Sequence, residues 1–150
     1  MISLCLPKKS GYEKAGVSGT NRLITYDKED EHMSKKVQRG ELYFADLSPV
    51  IGSEQGGYRP VLIIQNNVGN RYSSTVIVAT LSGQVNTKND LPTHHVIRNY
   101  PGLNEDSVIL LEQIRTIDKR RLRNYIGTLG EKDMNQVDRC LAVSLDLNIA

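Results

Sequence analysis

The sequence predicts a mainly β, α+β fold: a small antiparallel β-barrel carrying short helices and one C-terminal helix. Three observations carry this reading. Short runs of β-branched and aliphatic residues recur between turn residues from Gly40 onward. The connections between most of them are too short for parallel crossovers, and a helical apolar period appears only near the C-terminus.

The elements follow in order. Leu42-Tyr43-Phe44-Ala45 stops at Asp46-Leu47-Ser48-Pro49, where Asp, Ser and Pro favour a turn, so it is a first strand. Gly52 to Gly57 forms a Gly-rich loop, and Arg59-Pro60 leads into Val61-Leu62-Ile63-Ile64, an apolar run expected of a strand covered on both faces. Residues Asn67 to Ser74 turn the chain into the strand Thr75 to Leu81. A polar loop from Ser82 to Asp90 precedes a modest strand, His94 to Arg98, and a strong one containing Val108-Ile109-Leu110-Leu111. Asp118 is placed to cap a short basic helix, Lys119 to Arg123, before a last strand near Tyr125 to Leu129. Met134, Val137, Leu141 and Leu145 then recur at helical spacing, with Glu131 and Asp133 where the helix dipole favours negative charge.

A chain of 150 residues, 39% hydrophobic and 24% charged, has room for one compact domain. Residues 1–37 are polar, lack a sustained apolar period and contain Glu29-Asp30-Glu31, so they are expected to be a flexible extension ahead of a domain at 38–150. Met33 resembles an alternative start, which would make the upstream residues a mis-assigned or non-native leader. No run approaches the roughly 20 apolar residues of a membrane helix, and Met1 to Leu6 make a poor secretory signal, so the expected setting is the cytoplasm. Cys5 and Cys140 lack Cys or His neighbours at ligand spacing and are expected to be free thiols. The net charge of +2 lies in the extension, because residues 38–150 carry twelve basic and twelve acidic side chains. Bulk charge therefore does not announce a nucleic-acid binder, and any such function must reside in a local site.

Several catalytic patterns are absent: there is no His-Glu-x-x-His, no Gly-x-Ser-x-Gly, no Walker loop and no carboxylate cluster spaced for two metal ions. No metal or cofactor is therefore expected. His94 and His95, adjacent on a strand, point to opposite faces, so at most one could join any given site. The segment Gly52-Ser53-Glu54-Gln55-Gly56-Gly57-Tyr58-Arg59-Pro60 is different. Gly56 and Gly57 permit close approach to the backbone, and Arg59 is mounted on a buried strand. A planar guanidinium of permanent charge suits a phosphodiester, and suits better the phosphorane formed in transesterification. By itself the segment fits a Gly-rich hairpin with a structural Arg somewhat better.

Taken together, Arg39-Gly40-Glu41-Leu42-Tyr43-Phe44-Ala45-Asp46-Leu47, the Gly52–Asn66 block, Gly69-Asn70-Arg71, Thr75 to Ala79, Leu91-Pro92-Thr93-His94 and Asp106 to Lys119 resemble the MazF/PemK toxins of toxin–antitoxin modules, above all those of Gram-positive bacteria. The likeness covers residues 38 to 148. It implies a homodimer of SH3-like barrels, a fold shared with the gyrase poison CcdB. It also implies a metal-independent endoribonuclease that cuts single-stranded RNA at a short sequence, leaving a 2′,3′-cyclic phosphate and a 5′-hydroxyl. A cognate MazE-like antitoxin with an acidic, partly disordered tail is the implied partner. The family's catalytic Arg matches Arg59, and its catalytic Thr aligns with Ser82, which keeps the hydroxyl and loses a methyl; Thr80, on the same strand face, is the fallback.

Such a reaction needs removal of the 2′-OH proton, stabilisation of the phosphorane and protonation of the leaving oxygen. Arg59 supplies the second, Ser82 can orient the phosphate, and Glu54 and Ser53 are candidates for assisting proton transfer or holding the RNA. Tyr58, Gln84, Gln113 and Arg115, with Gln55, Gly56 and Gly57, are candidates for holding and reading RNA. Tyr72 and Tyr43 fit packing as well as stacking, and Lys119, Arg120, Arg121 and Arg123 fit a solvated face better than a phosphate-steering one. Two rivals remain at the level of sequence. A CcdB-like gyrase inhibitor is disfavoured because the chain has no Trp, and a barrel without chemistry is disfavoured by the retained Arg59 and Ser82.

Overall fold

The computed structural model describes residues 36–88 and 91–148. Six strands form one antiparallel sheet: β1 (Glu41–Asp46), β2 (Tyr58–Ile63), β3 (Thr75–Ser82), β4 (His94–Ile97), β5 (Ser107–Asp118) and β6 (Leu122–Thr128). Their spatial order is β4-β5-β3-β2-β1-β6, so β4 and β6 are the edges of a curled half-barrel. Three helices decorate it: α1 (Asn67–Tyr72), α2 (Val85–Lys88) and α3 (Glu131–Leu145).

The curl has a local cause in β5. Its pairing with β3 runs regularly from Thr75↔Asp118 to Ala79↔Ile114 and then jumps to Thr80↔Leu110, leaving Leu111, Glu112 and Gln113 as extra residues. Extra residues in one strand bend it and increase the twist. One 12-residue strand thereby serves two surfaces. Val61, Ile63, Val76 and Val78 join Tyr43 and Ala45 in one core, while Leu62, Ile64, Ala79 and Leu81 join Ile109, Leu111 and Val137 of α3 in the other. Alternate residues of β2 and β3 thus go to opposite cores, as a strand covered on both faces requires. Val61 to Ile64, expected to be such a strand, are all buried.

Several boundaries differ from the sequence reading. The turn expected over Asn67–Ser74 contains helix α1, because Asn66 caps it, its side chain accepting from Gly69 N at 2.8 Å. The loop expected over Ser82–Asp90 contains the single-turn α2. The basic helix after Asp118 is a 3-10 turn of three residues, Lys119–Arg121, with the expected cap: the Asp118 carboxylate accepts from Arg120 N at 2.8 Å. The last strand starts at Leu122 rather than near Tyr125, since Leu122 pairs with Ala45 of β1. The extension expected at 1–37 lies outside the described residues except for Lys36 and Val37, and Val37 packs into the first core.

Helix α3 has Gly130 at its N-cap, with Glu131 and Asp133 in the first turn as expected. It ends in the left-handed residue Asp146 (φ 54°, ψ 43°), where Leu147 N donates to Ala142 O and Asp146 N to Val143 O. The adjacent histidines diverge as the strand period demands: His95 meets Asp133 of α3 at 2.9 Å and His94 meets Glu112 of β5 at 2.6 Å. Cys140 is a free thiol, half-buried, donating to His94 O; burial raises its pKa.

Candidate active site

Arg59 lies near the start of β2, directly after the Gly-rich loop. Its Nε donates to Gly56 O at 2.6 Å, and its Nη1 to the Gln55 side-chain oxygen and to Leu81 O of β3 at 3.5 Å. Three acceptors from the loop and the neighbouring strand therefore orient the guanidinium without neutralising it. Among the described residues Arg59 has no carboxylate partner within ion-pair distance. The loop geometry that permits this depends on two glycines. A Cβ on Gly56 would stand 2.6 Å from the Val50 side chain, and Gly57 has φ 76°, which favours glycine.

The register explains the partner across from Arg59. Strands β2 and β3 pair Val61 with Thr80 and Ile63 with Val78. Continued by two residues, that antiparallel register sets Arg59 opposite Ser82, with Thr80 one pair deeper on the same face. The two hydroxyls differ in employment. Thr80 is 1% exposed, and its Oγ1 donates to Gln113 O at the sheet irregularity. Ser82, at the strand end, accepts from Gln84 N at 3.3 Å.

Several of the expected residues come together. Glu54, Gln55, Thr80, Gln113 and Arg115 line one cleft of about 330 Å³. Ser53 joins it through its carbonyl, which accepts from Gln113 Nε2 at 3.5 Å. Glu54 closes the loop on itself, its carboxylate accepting from Ile51 N at 3.0 Å, and Arg115 donates to Leu47 O at 3.2 Å. Ser82 does not line that cleft; it lines a separate, smaller one of about 120 Å³ with Phe44, Pro60 and Glu105. Gln84 stands apart, in a cavity with Arg98, Glu105 and Asp106. Tyr58 is exposed and stacks on Phe44, ring centroids 5.3 Å apart.

One residue bears on this region that sequence reading does not identify, and a second takes a role that sequence reading does not assign to it. The Glu105 carboxylate lies so close over Gly83 that any Cβ there would collide with it. Nothing local in the sequence signals this, because it follows from the Ser82↔Val108 pairing of distant strands. Arg121 donates to Asp46 O and Ser48 O, at 3.0 and 2.6 Å, and so fastens the chain entering the Gly-rich loop. The basic run is therefore not a uniform solvated face. Tyr43 is a packing residue, 2% exposed, whereas Tyr72 is 77% exposed and packs in no core. Among the described residues no three His, Cys, Asp or Glu side chains gather as a metal site, and no helix is long and apolar enough to cross a membrane.

A curled antiparallel half-barrel with an arginine on a glycine-hinged hairpin and hydroxyls on the facing strand defines a class, the toxin barrels of toxin–antitoxin systems. The chain belongs to the family of PemK-like, MazF-like toxins of type II toxin–antitoxin systems, whose sequence profile matches residues 38–145. It is 58% identical over 113 residues to the endoribonuclease EndoA of Bacillus subtilis (strain 168), a match covering 74% of this chain and 96% of that protein. A solved endoribonuclease in complex with its cognate antitoxin from Mycobacterial species superposes with TM-score 0.63 at 26% identity, over 76% of this chain and 99% of that one. MazF from Deinococcus radiodurans shares the fold at 20% identity, with TM-score 0.64 over 74% and 97% of the two chains.

Proposed function

We propose that this toxin, as an endoribonuclease, cuts single-stranded messenger RNA at a short sequence, with the substrate's own 2′-hydroxyl as nucleophile and without metal or cofactor. The 2′-oxygen attacks phosphorus as its proton leaves to a base. The P–O5′ bond then breaks and the 5′-oxygen takes a proton, giving a 2′,3′-cyclic phosphate and a 5′-hydroxyl. The observation that supports this most is the unneutralised Arg59 guanidinium, oriented by Gly56 O, Gln55 and Leu81 O beside the cleft.

In this reading Arg59 stabilises the phosphorane, and Ser82 orients the phosphate from across the register. Thr80 is committed to Gln113 O, which favours Ser82 for the hydroxyl role. Glu54, whose carboxylate accepts from Ile51 N within the loop, is the candidate for proton transfer, and Ser53 supports the loop through Gln113. Gln55, Gly56, Gly57, Tyr58, Gln113 and Arg115 hold and read bases, with Gln84 at the outer end. The toxin acts in the cytoplasm as a homodimer and is silenced by a cognate antitoxin whose acidic tail occupies the same groove. The 58% likeness to an endoribonuclease and the fold shared with an antitoxin-bound one support this.

Long single-stranded RNA incubated with the toxin in EDTA tests the mechanism. Specific cuts bearing cyclic phosphate ends are expected, and a 2′-deoxy substitution at the cut sugar is expected to abolish them. Strict dependence on a divalent metal, or efficient cutting of the 2′-deoxy substrate, would show the mechanism to be wrong.

A further inference from the structure

Strand β5 leaves the cleft at Thr116 and two residues later enters a second concavity of about 490 Å³, lined by Arg71, Tyr72, Asp118, Lys119 and Arg120. Nothing in the proposed cleavage step uses it. Tyr72, the last residue of α1, is 77% exposed, with the Arg71 guanidinium 5.4 Å from its ring centroid. The chain beside it is pinned, since Ser73 N donates to Gly69 O and the Ser73 and Thr75 hydroxyls hydrogen-bond at 3.0 Å. The ring thus stands in solvent on a backbone that is held in place. Three cations face one carboxylate here. Asp118 is matched to Arg120, which donates to it from Nε at 3.0 Å and Nη2 at 3.1 Å, and these bonds hold the carboxyl below its ordinary pKa. Lys119 is anchored on Asn70 O, which fixes its position and leaves its charge. Arg71 has no carboxylate partner among the described residues.

We propose that this concavity is a second binding site for the single-stranded RNA substrate, holding a nucleotide that flanks the cut. The inference rests on the ribonuclease reading above. The base stacks on the face of Tyr72 that Arg71 leaves open, and the phosphate lies between Arg71 and Lys119. An exposed aromatic ring beside cations is the combination that binds single strands with little sequence preference. Continuity carries the rest: β5 supplies Arg115 and Thr116 to the cleft and Asp118 to the concavity, so a polymer leaving the cleft along β5 reaches Tyr72 next. An acidic protein segment would find the cations but would gain less from the open ring.

The test uses the full chain and two RNAs sharing one mapped cleavage sequence, both with a 2′-deoxy sugar at the cut so that binding alone is read. One ends at the recognised bases and the other continues on both sides. Wild-type protein is expected to bind the extended RNA more tightly. Tyr72→Ala should weaken binding of the extended RNA by about tenfold, the size of one lost stacked base, and leave the short RNA unchanged. Tyr72→Phe should retain wild-type binding, and Arg71→Ala should lower the salt slope for the extended RNA by about one.

Equal binding of the extended RNA by wild type and Tyr72→Ala overturns the site, and so does an equal loss on both RNAs. Should Tyr72→Ala fail to fold, the Arg71→Ala salt slope decides in its place. Weakened capture of polyglutamate by the variants, with RNA binding intact, would make the surface a protein dock and also overturn the proposal. Failure of the wild type to cut any RNA would defeat the ribonuclease reading itself, a result distinct from indifferent variants of an active enzyme.

Discussion

Arg59 takes its orientation from neutral oxygens, and that choice has a functional consequence. A carboxylate partner would hold the side chain more firmly but would offset the charge that a phosphorane needs. Because Arg59 is only half-buried and its removal leaves no carboxylate unpaired, Arg59→Ala should leave the fold stable to within about 1 kcal/mol. Cleavage should nevertheless fall by a factor on the order of 100 to 1,000, as when one oxyanion donor is removed. Ser82→Ala should fall less, by roughly tenfold, the loss of about one hydrogen bond in the transition state. RNA cleavage rates and thermal melts of both variants check this, and near wild-type cutting by folded Arg59→Ala would remove the central residue.

Tyr43 makes a second residue-scale case. Its hydroxyl donates to Glu41 at 2.8 Å, and burial first, then the Glu41 bond and charge, raise its pKa well above the ordinary 10.0. A raised folded pKa means that this stabilisation is present below pH 10 and is lost as the pH climbs above it, because the unfolded phenol ionises first. Tyr43→Phe should therefore flatten the fall in stability above pH 10. Denaturant midpoints across that range measure it, and an unchanged slope would contradict the linkage.

At the scale of elements, the irregularity in β5 organises the site. It bends the strand, places the Gln113 carbonyl over Thr80 and presents the Gln113 and Arg115 side chains to the cleft. Helix α3 shows how an element can be legible in sequence and still hold a surprise at its end. The apolar period from Met134 to Leu145 marks the helix, and Val137 is fully buried against the sheet. Its stop, however, is an aspartate in the left-handed region, where glycine is the usual occupant and where a negative charge faces the negative end of the dipole. Asp146→Gly should raise stability by about 0.5–1 kcal/mol by relieving both effects, less the entropy that glycine gains when unfolded. Chemical denaturation would read the shift, and a loss of stability would mean that Asp146 makes an offsetting interaction.

For the whole molecule, the family match begins at residue 38, and the Bacillus relative aligns over 113 residues covering 96% of its own length. Residues before Met33 lie outside the stretch that the family profile matches. A chain begun at Met33 keeps Val37, which packs in the first core, and should fold, dimerise and cut RNA as the full chain does. Sedimentation and a cleavage assay of the shortened protein decide this; loss of either property would show that the leading residues act with the barrel.

The sequence by itself determined the strands, the terminal helix and the family, because each rests on information within a few residues of itself: β-branched runs, a helical period, turn chemistry and ordered motif blocks. It also singled out Arg59, since a glycine-hinged loop ahead of a buried run is a local pattern. Only the tertiary structure decided which hydroxyl already donates its proton, because Thr80 meets Gln113 through a strand irregularity that no local pattern announces. The same holds for Glu105 over Gly83, for Arg121 on the backbone of Asp46 and Ser48, and for Tyr72 left open beside Arg71. These contacts join residues brought together by antiparallel register or by the packing of a short helix. Register depends on how two whole strands settle against their cores, and so it is a property of the assembled sheet.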